Sequence, residues 1–233
     1  ALMIAASHGN SDCLQLLLDS GADKEAKSNS GWTALMIAAV NGKVECVELL
    51  LGAQTDINAK NCDGRTALMV AANRGNSDCL KALLDAGADK EAIDEDGDTA
   101  LIFAADNGKY ECLQLLLDSK ADKEAKNNYG QTALMSAASN GNSDCLKALL
   151  DAGADKEAVS KDGRTALMIV AVKGYGECLQ LLLQEKADLE VKNDDGCTAL
   201  MIAAMKGNSD CLKALLDAGA DKDAKNKHGS TAL

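Results

Sequence analysis

Cysteine is the residue of this 233-residue chain with the most chemistry to offer, since a thiolate can attack, bind zinc or pair as a disulfide. There are nine, and seven of them, Cys13, Cys46, Cys79, Cys112, Cys145, Cys178 and Cys211, recur every 33 residues. No Cys-x-x-Cys pair or histidine partner accompanies them, so neither a zinc site nor a redox pair is assembled. Each opens an apolar run, such as Cys-Leu-Lys-Ala-Leu-Leu from Cys79, and reads as a small buried hydrophobe. Neighbouring helices stand about 8–10 Å apart, beyond the roughly 7 Å that a disulfide spans, so equivalent cysteines stay reduced. Reduced thiols in this number favour a cytoplasmic, intracellular protein. Cys62 and Cys197 fall in loops and are expected at the surface.

Carboxylates are the second resource. Asp94, Glu95, Asp96 and Asp98 form the densest acidic run, but no glutamate closes it as a calcium loop requires. It reads as a solvated loop tip. Other carboxylates belong to recurrent Asp-Lys-Glu segments such as Asp89-Lys90-Glu91 and read as solubilising surface. His8 and His228 are the only histidines and lie at opposite ends of the chain, which prevents a histidine-dependent triad or metal site. No glycine-rich phosphate loop is present. The residues therefore predict no enzyme, no cofactor and no metal.

What positions all of these residues is a repeat. Thr-Ala-Leu begins at 33, 66, 99, 132, 165, 198 and 231 without insertion or deletion, which marks a solenoid. One domain over 1–233 is expected, in repeats of about 1–33, 34–66, 67–99, 100–132, 133–165, 166–198 and 199–231. Hydrophobic residues make up 47% of the chain and aromatics 2%, so its core must be aliphatic. A net charge of −12 argues against nucleic acid and against an anionic membrane surface. No apolar run is long enough for a membrane helix.

The third repeat shows how one unit is built. Thr66 is a natural N-cap for a short helix from Ala67 to Asn73, with Leu68, Ala71 and Ala72 on one face. Gly75 stops it. Asn76 or Ser77 caps a second helix whose apolar stripe is Cys79, Leu80, Leu83 and Leu84, and Gly87 ends that one. The polar stretch from Ala88 to Asp98, with a turn at Asp96-Gly97, suits a hairpin-like finger. The prediction is an all-α array of about fourteen helices in seven pairs.

With Gly64, Thr66, Leu68, Ala71, Ala72, Gly75, Leu80, Leu83, Leu84, Gly87, Ala88 and Asp89 in place, the repeat resembles the ankyrin repeat. The resemblance covers the whole chain. It implies an ankyrin-repeat solenoid of stacked helix-turn-helix units with projecting fingers. It also implies a scaffold that binds partner proteins along its concave face.

Departures from the family pattern carry information. The family's proline is alanine, as at Ala34 and Ala67, and its histidine is Met3, Met36, Met69, Ile102, Met135, Met168 or Met201, expected to line the core. The glycine ending the second helix survives only as Gly21, Gly87, Gly153 and Gly219. Gln54, Lys120 and Lys186 replace it elsewhere and must accept left-handed backbone or end the helix otherwise. This alternation reads as the trace of a duplicated 66-residue pair.

Positions that vary on this fixed frame are the candidate binding residues. The residue before each threonine runs Trp32, Arg65, Asp98, Gln131, Arg164, Cys197 and Ser230 and lies on the finger. A second column closes the first helix and includes Arg74, Asp106, Lys173, Met205 and Lys206. Trp32, Arg65 and Arg74 would make a hot spot, and Tyr110, Tyr129 and Tyr175 add to the surface. The acidic balance suits a partner with a basic patch. The rival expectation is a self-stacking array. Leu2, Met3 and Ile4 at one end, and Leu212, Leu215 and Leu216 at the other, would meet end to end, with the chain a segment of a longer array.

Overall fold

The computed structural model describes residues 1–232, so Leu233, which the repeat places at the opening of a further unit, lies outside the described residues. The described residues form fourteen α-helices and no strands. They divide into two compact units that part between Asp122 and Lys123.

The N-terminal unit holds α1 (Leu2–His8), α2 (Ser11–Asp19), α3 (Ala34–Val40), α4 (Val44–Gly52), α5 (Ala67–Arg74), α6 (Ser77–Asp85), α7 (Ala100–Asp106) and α8 (Tyr110–Asp118). The C-terminal unit holds α9 (Ala133–Asn140), α10 (Ser143–Asp151), α11 (Ala166–Lys173), α12 (Gly176–Gln184), α13 (Ala199–Lys206) and α14 (Ser209–Asp217). In each unit the first helix of a repeat packs on its own second helix and on the first helix of the next repeat, and second helices stack likewise. The core therefore grows along one axis, with no long-range closure.

Threonine fixes the start of each first helix. The N–H of Met36 donates to Thr33 Oγ1, and the same bond joins Met69 to Thr66, Ile102 to Thr99, Met135 to Thr132, Met168 to Thr165 and Met201 to Thr198. All six threonines are buried with their caps. Met69 also returns a bond, its Sδ accepting from Thr66 N–H at 3.4 Å. At that position sulfur takes over part of the hydrogen bonding that the family's histidine would supply. Met36, Ile102, Met135, Met168 and Met201 are buried as expected, and Met3 is half-buried.

The first helices are more enclosed than one apolar face implies. Ala67, Leu68, Met69, Val70, Ala71 and Ala72 of α5 are all buried, because the helix is covered by its partner, by both neighbouring first helices and by a finger. Small side chains allow that approach. Second helices keep an exposed face, with Asp12, Glu45, Asp78, Glu111, Asp144, Glu177 and Asp210 in their first turns. There the carboxylates favour the positive end of the helix dipole.

Asn76 sits at the N-cap of α6 without capping it. Its Nδ2 instead donates to Ala39 O at 2.8 Å and Val40 O at 3.0 Å, closing the end of α3 in the preceding repeat. Asn208 does the same for Ala171 and Val172. In the even repeats Lys43, Lys109 and Tyr175 hold this position. The stem of Lys109 lies so close across Gly75 that a Cβ there would fall 2.9 Å from its Cδ. The alternation is thus more than ancestry, since the two kinds of repeat present different chemistry to each other.

Gln54, Lys120 and Lys186 take φ of 58°, 60° and 60°, so they accept the left-handed conformation where the odd repeats use glycine.

The recurrent Asp-Lys-Glu segments also do more than solubilise. Glu25, Glu91, Glu124, Glu157 and Glu190 each accept the backbone N–H of the residue 31 positions on, at 2.8–3.1 Å. Lys27, Lys60, Lys126 and Lys192 each donate to a carbonyl 33 positions on. These bonds tie finger to finger within each unit.

Candidate protein-binding face

Each finger tip is folded around one polar side chain. Asn61 Oδ1 accepts from Asp63 N–H at 3.0 Å and from Arg65 N–H at 2.8 Å. Asn193 holds Asp195 and Cys197 in the same way, and Asn127 holds Tyr129 and Gln131. Ser28 and Ser160 accept from Trp32 and Arg164 N–H at 3.1 Å. In the third repeat the role falls to Asp94, which accepts from Asp96 at 3.0 Å and Asp98 at 2.9 Å. Asp94 is only 7% exposed, so the expectation of a wholly solvated acidic tip is corrected there. Its burial is sustained because its oxygens are satisfied by fixed donors. The next finger packs backbone to backbone against this frame. Gly64, at φ 78°, would place a Cβ 2.9 Å from Glu95 N, so no side chain fits.

The frame presents the candidate residues as follows. Trp32, Arg65 and Asp98 are half-buried on the fingers of the N-terminal unit, and Arg74, Asp106 and Tyr110 are exposed at helix ends. Arg65 is already engaged. Its Nε lies 3.4 Å from Asp94 Oδ2, and its guanidinium carbon is 4.9 Å from the centroid of the Phe103 ring. It is therefore a pre-positioned cation rather than a free one.

In the C-terminal unit Gln131 and Arg164 are half-buried, whereas Tyr129 and Tyr175 are exposed. Gln131, Ser139, Ser160, Asp162, Arg164, Ile169, Val172 and Lys173 line a groove of about 100 Å³ between fingers and first helices. Arg164 Nε stands 2.9 Å from Asp162 Oδ2, but that nitrogen is enclosed and makes no aligned hydrogen bond. Cys197 departs from expectation. It is buried at 4% exposure, with Asn226 Nδ2 3.8 Å from its sulfur, and offers nothing to a partner.

At the ends, Leu2 and Leu215 are buried within their own units, so neither is available to a second molecule. Met3 and Leu212 are half-buried, and Leu216 and Ile4 are exposed. Leu16, which the sequence did not single out, is 69% exposed. Cys13 is exposed too, in contrast to the buried Cys46, Cys79, Cys112, Cys145, Cys178 and Cys211.

The buried thiols are poor nucleophiles. Burial first, and then the neighbouring carboxylate, pushes Cys79 up to about 11, Cys112 to about 12 and Cys178 to about 11. Cys46 and Cys211 rise for the same reasons. No helix among the described residues is long and apolar enough to cross a membrane.

The family model for ankyrin repeats in three copies matches residues 2–94, 53–127, 89–160 and 152–226. The chain belongs to the ankyrin repeat family. Its structure is similar to the crystal structure of the human ASB11 ankyrin repeat domain, at TM-score 0.85 and 27% identity, covering 95% of this chain and 98% of that one. It is also similar to the ankyrin repeat domain of Bcl-3, a member of the IkappaB family, at TM-score 0.80 and 32% identity, covering 88% and 93%. No curated protein matches it in sequence. Ankyrin repeat domains are in general protein–protein interaction modules, and their fold is in general a non-enzymatic scaffold.

Proposed function

We propose that this ankyrin repeat protein is a scaffold that holds partner proteins through its fingers and the ends of its first helices, without a cofactor. One observation carries the reading. Apart from the buried Cys197, the side chains of the two variable columns stand exposed or half-exposed on a backbone whose finger turns are hydrogen-bonded in the same way from repeat to repeat. Such an arrangement fixes where side chains point while leaving their identity open, which suits recognition of a particular protein. The acidic second helices would draw a partner with a basic patch at long range. Capture of partners with the wild-type chain and with a Trp32→Ala/Arg74→Ala variant, read by mass spectrometry, tests it. Loss of a partner from the variant is expected, and equal recovery of every partner would remove these residues from the site.

A second reading, end-to-end self-association, is favoured by exposure at one end. Ile4 is 65% exposed, whereas Val70, Phe103, Ile169 and Ile202 at its repeat position are buried. Ile4→Lys and Leu216→Lys, at exposed positions, should abolish any concentration-dependent rise in sedimentation coefficient. A strict monomer across concentration would end this reading.

A further inference from the structure

Charge is sorted in the C-terminal unit in a way that the net value of −12 conceals. Its first-helix ends carry Lys173 and Lys206, and its finger column reads Gln131, Arg164, Cys197 and Ser230, with no acid in that column. The second helices carry Asp144, Asp151, Glu177, Asp210 and Asp217 against Lys147 and Lys213, and the finger tips carry Asp162, Asp194 and Asp195 beside that column. The groove between fingers and first helices concentrates this pattern. Arg164 and Lys173 flank it, Gln131, Ser139 and Ser160 contribute polar groups, and Ile169 and Val172 form an apolar floor. Its one acid, Asp162, is exposed and turned to internal partners. It accepts from Ser160 Oγ and stands against Arg164 Nε at 2.9 Å.

From this geometry we infer that the groove seats a carboxylate side chain, aspartate or glutamate, presented by an extended acidic segment of a partner protein. The inference deepens the scaffold reading and rests on it. The volume of about 100 Å³ is several times the roughly 10–15 Å³ that one water needs, enough for a carboxylate and its methylene. The backbone N–H of Arg164 donates to Ser160 Oγ at 3.1 Å, which fixes the main chain of the finger, and Asp162 Oδ2 stands 2.9 Å from Arg164 Nε and holds the guanidinium at the groove. A carboxylate entering over the apolar floor gains charge-assisted bonds from Arg164 and Lys173 where water is partly excluded. A polyanion is disfavoured, because the acidic second helices repel a ligand that carries charge along its whole length. The proposal thus sets the local contact apart from the long-range attraction of a basic partner surface. A partner can carry both.

The test is selection of a random dodecapeptide display library on the full chain, with recovered peptides measured against four proteins: wild type, Arg164→Gln/Lys173→Gln, Asp162→Asn and Trp32→Ala/Arg74→Ala. Aspartate or glutamate is expected at one fixed peptide position. The Arg164/Lys173 pair should weaken those peptides about tenfold or more, as loss of charge-assisted bonds does. Asp162→Asn, which removes the competing internal anion, should tighten them. Circular dichroism melts of the variants verify folding, and Asp162→Asn predicts a gain that misfolding cannot mimic. Peptides that bind without acidic enrichment, or that ignore both groove variants, overturn this inference and leave the scaffold reading standing. No peptide recovered on any variant counts against both. Tighter binding of a single-stranded oligonucleotide, lost in the Arg164/Lys173 pair, overturns the peptide occupant.

Discussion

The guanidinium of Arg65, on the finger before the third repeat, lies 4.9 Å over the ring of Phe103 in the first helix of the fourth. The contact crosses 38 positions of sequence, so neither residue announces it. With Asp94 on its other side, Arg65 clamps a finger onto a helix and leaves a half-exposed cation at a defined place.

Removing that clamp should be measurable but modest. Arg65→Ala and Phe103→Leu, singly and together in a urea-unfolding cycle, should show coupling of about 0.5–1 kcal/mol, typical of a cation over an aromatic face at a partly exposed site. Additivity within error would mean that the stacking contributes nothing.

Asp94 should behave as a structural acceptor. Asp94→Asn keeps the oxygen that holds Asp96 and Asp98, as asparagine does at Asn61, Asn127 and Asn193, and should lose only the ion pair with Arg65, a cost of about 1 kcal/mol or less. Asp94→Ala leaves two turn N–H groups without that acceptor and should cost about 1–3 kcal/mol. Equal midpoints for the two variants would show that the charge, not the acceptor, matters.

Gln54, Lys120 and Lys186 carry a left-handed strain that the odd repeats avoid. Each substitution to glycine should stabilise by up to about 1 kcal/mol, less any gain in unfolded-chain entropy. Gln54→Gly and Lys120→Gly, in the same unit, should add, and thermal melts would read the sum.

The buried thiols predict weakening in alkali. Cys79 and Cys112 ionise at 9.0 when unfolded, and near 11 and 12 when folded. Above pH 9 the unfolded chain therefore holds fewer protons, and stability falls as pH rises. Each thiol contributes about 1.4 kcal/mol per pH unit until its folded value is reached. Cys79→Ala should show a shallower loss between pH 9 and 11 than wild type. Under native conditions iodoacetamide should label Cys13 and Cys62 first, since both are exposed.

The helices, their order and their threonine caps were legible because each is written within one repeat and copied. Cys13 is exposed and Cys197 buried, each the reverse of what its place in the repeat implies. A repeat position tells how a residue is oriented, and burial depends on whether a neighbour lies there to cover it. The roles of Asp94, Asn76 and the Asp-Lys-Glu glutamates were illegible because their partners are backbone atoms, which leave no signature in residue types. The groove at Arg164 escaped notice because it is assembled from two fingers and two helices. Each contributes residues that look ordinary alone.

The carboxamides of Asn76 and Asn208 bear on how an array of this kind can lengthen or shorten. Asn76 and Asn208 reach carbonyls of α3 and α11, the first helices of even repeats, whereas Lys43, Lys109 and Tyr175 hold the same position in the even repeats themselves. Gain or loss of a single repeat would set like against like, two asparagines or two of the other side chains in succession. Two repeats gained or lost together would keep the alternation that the sequence carries. A pair of 66 residues is therefore the change that leaves every such seam as it is.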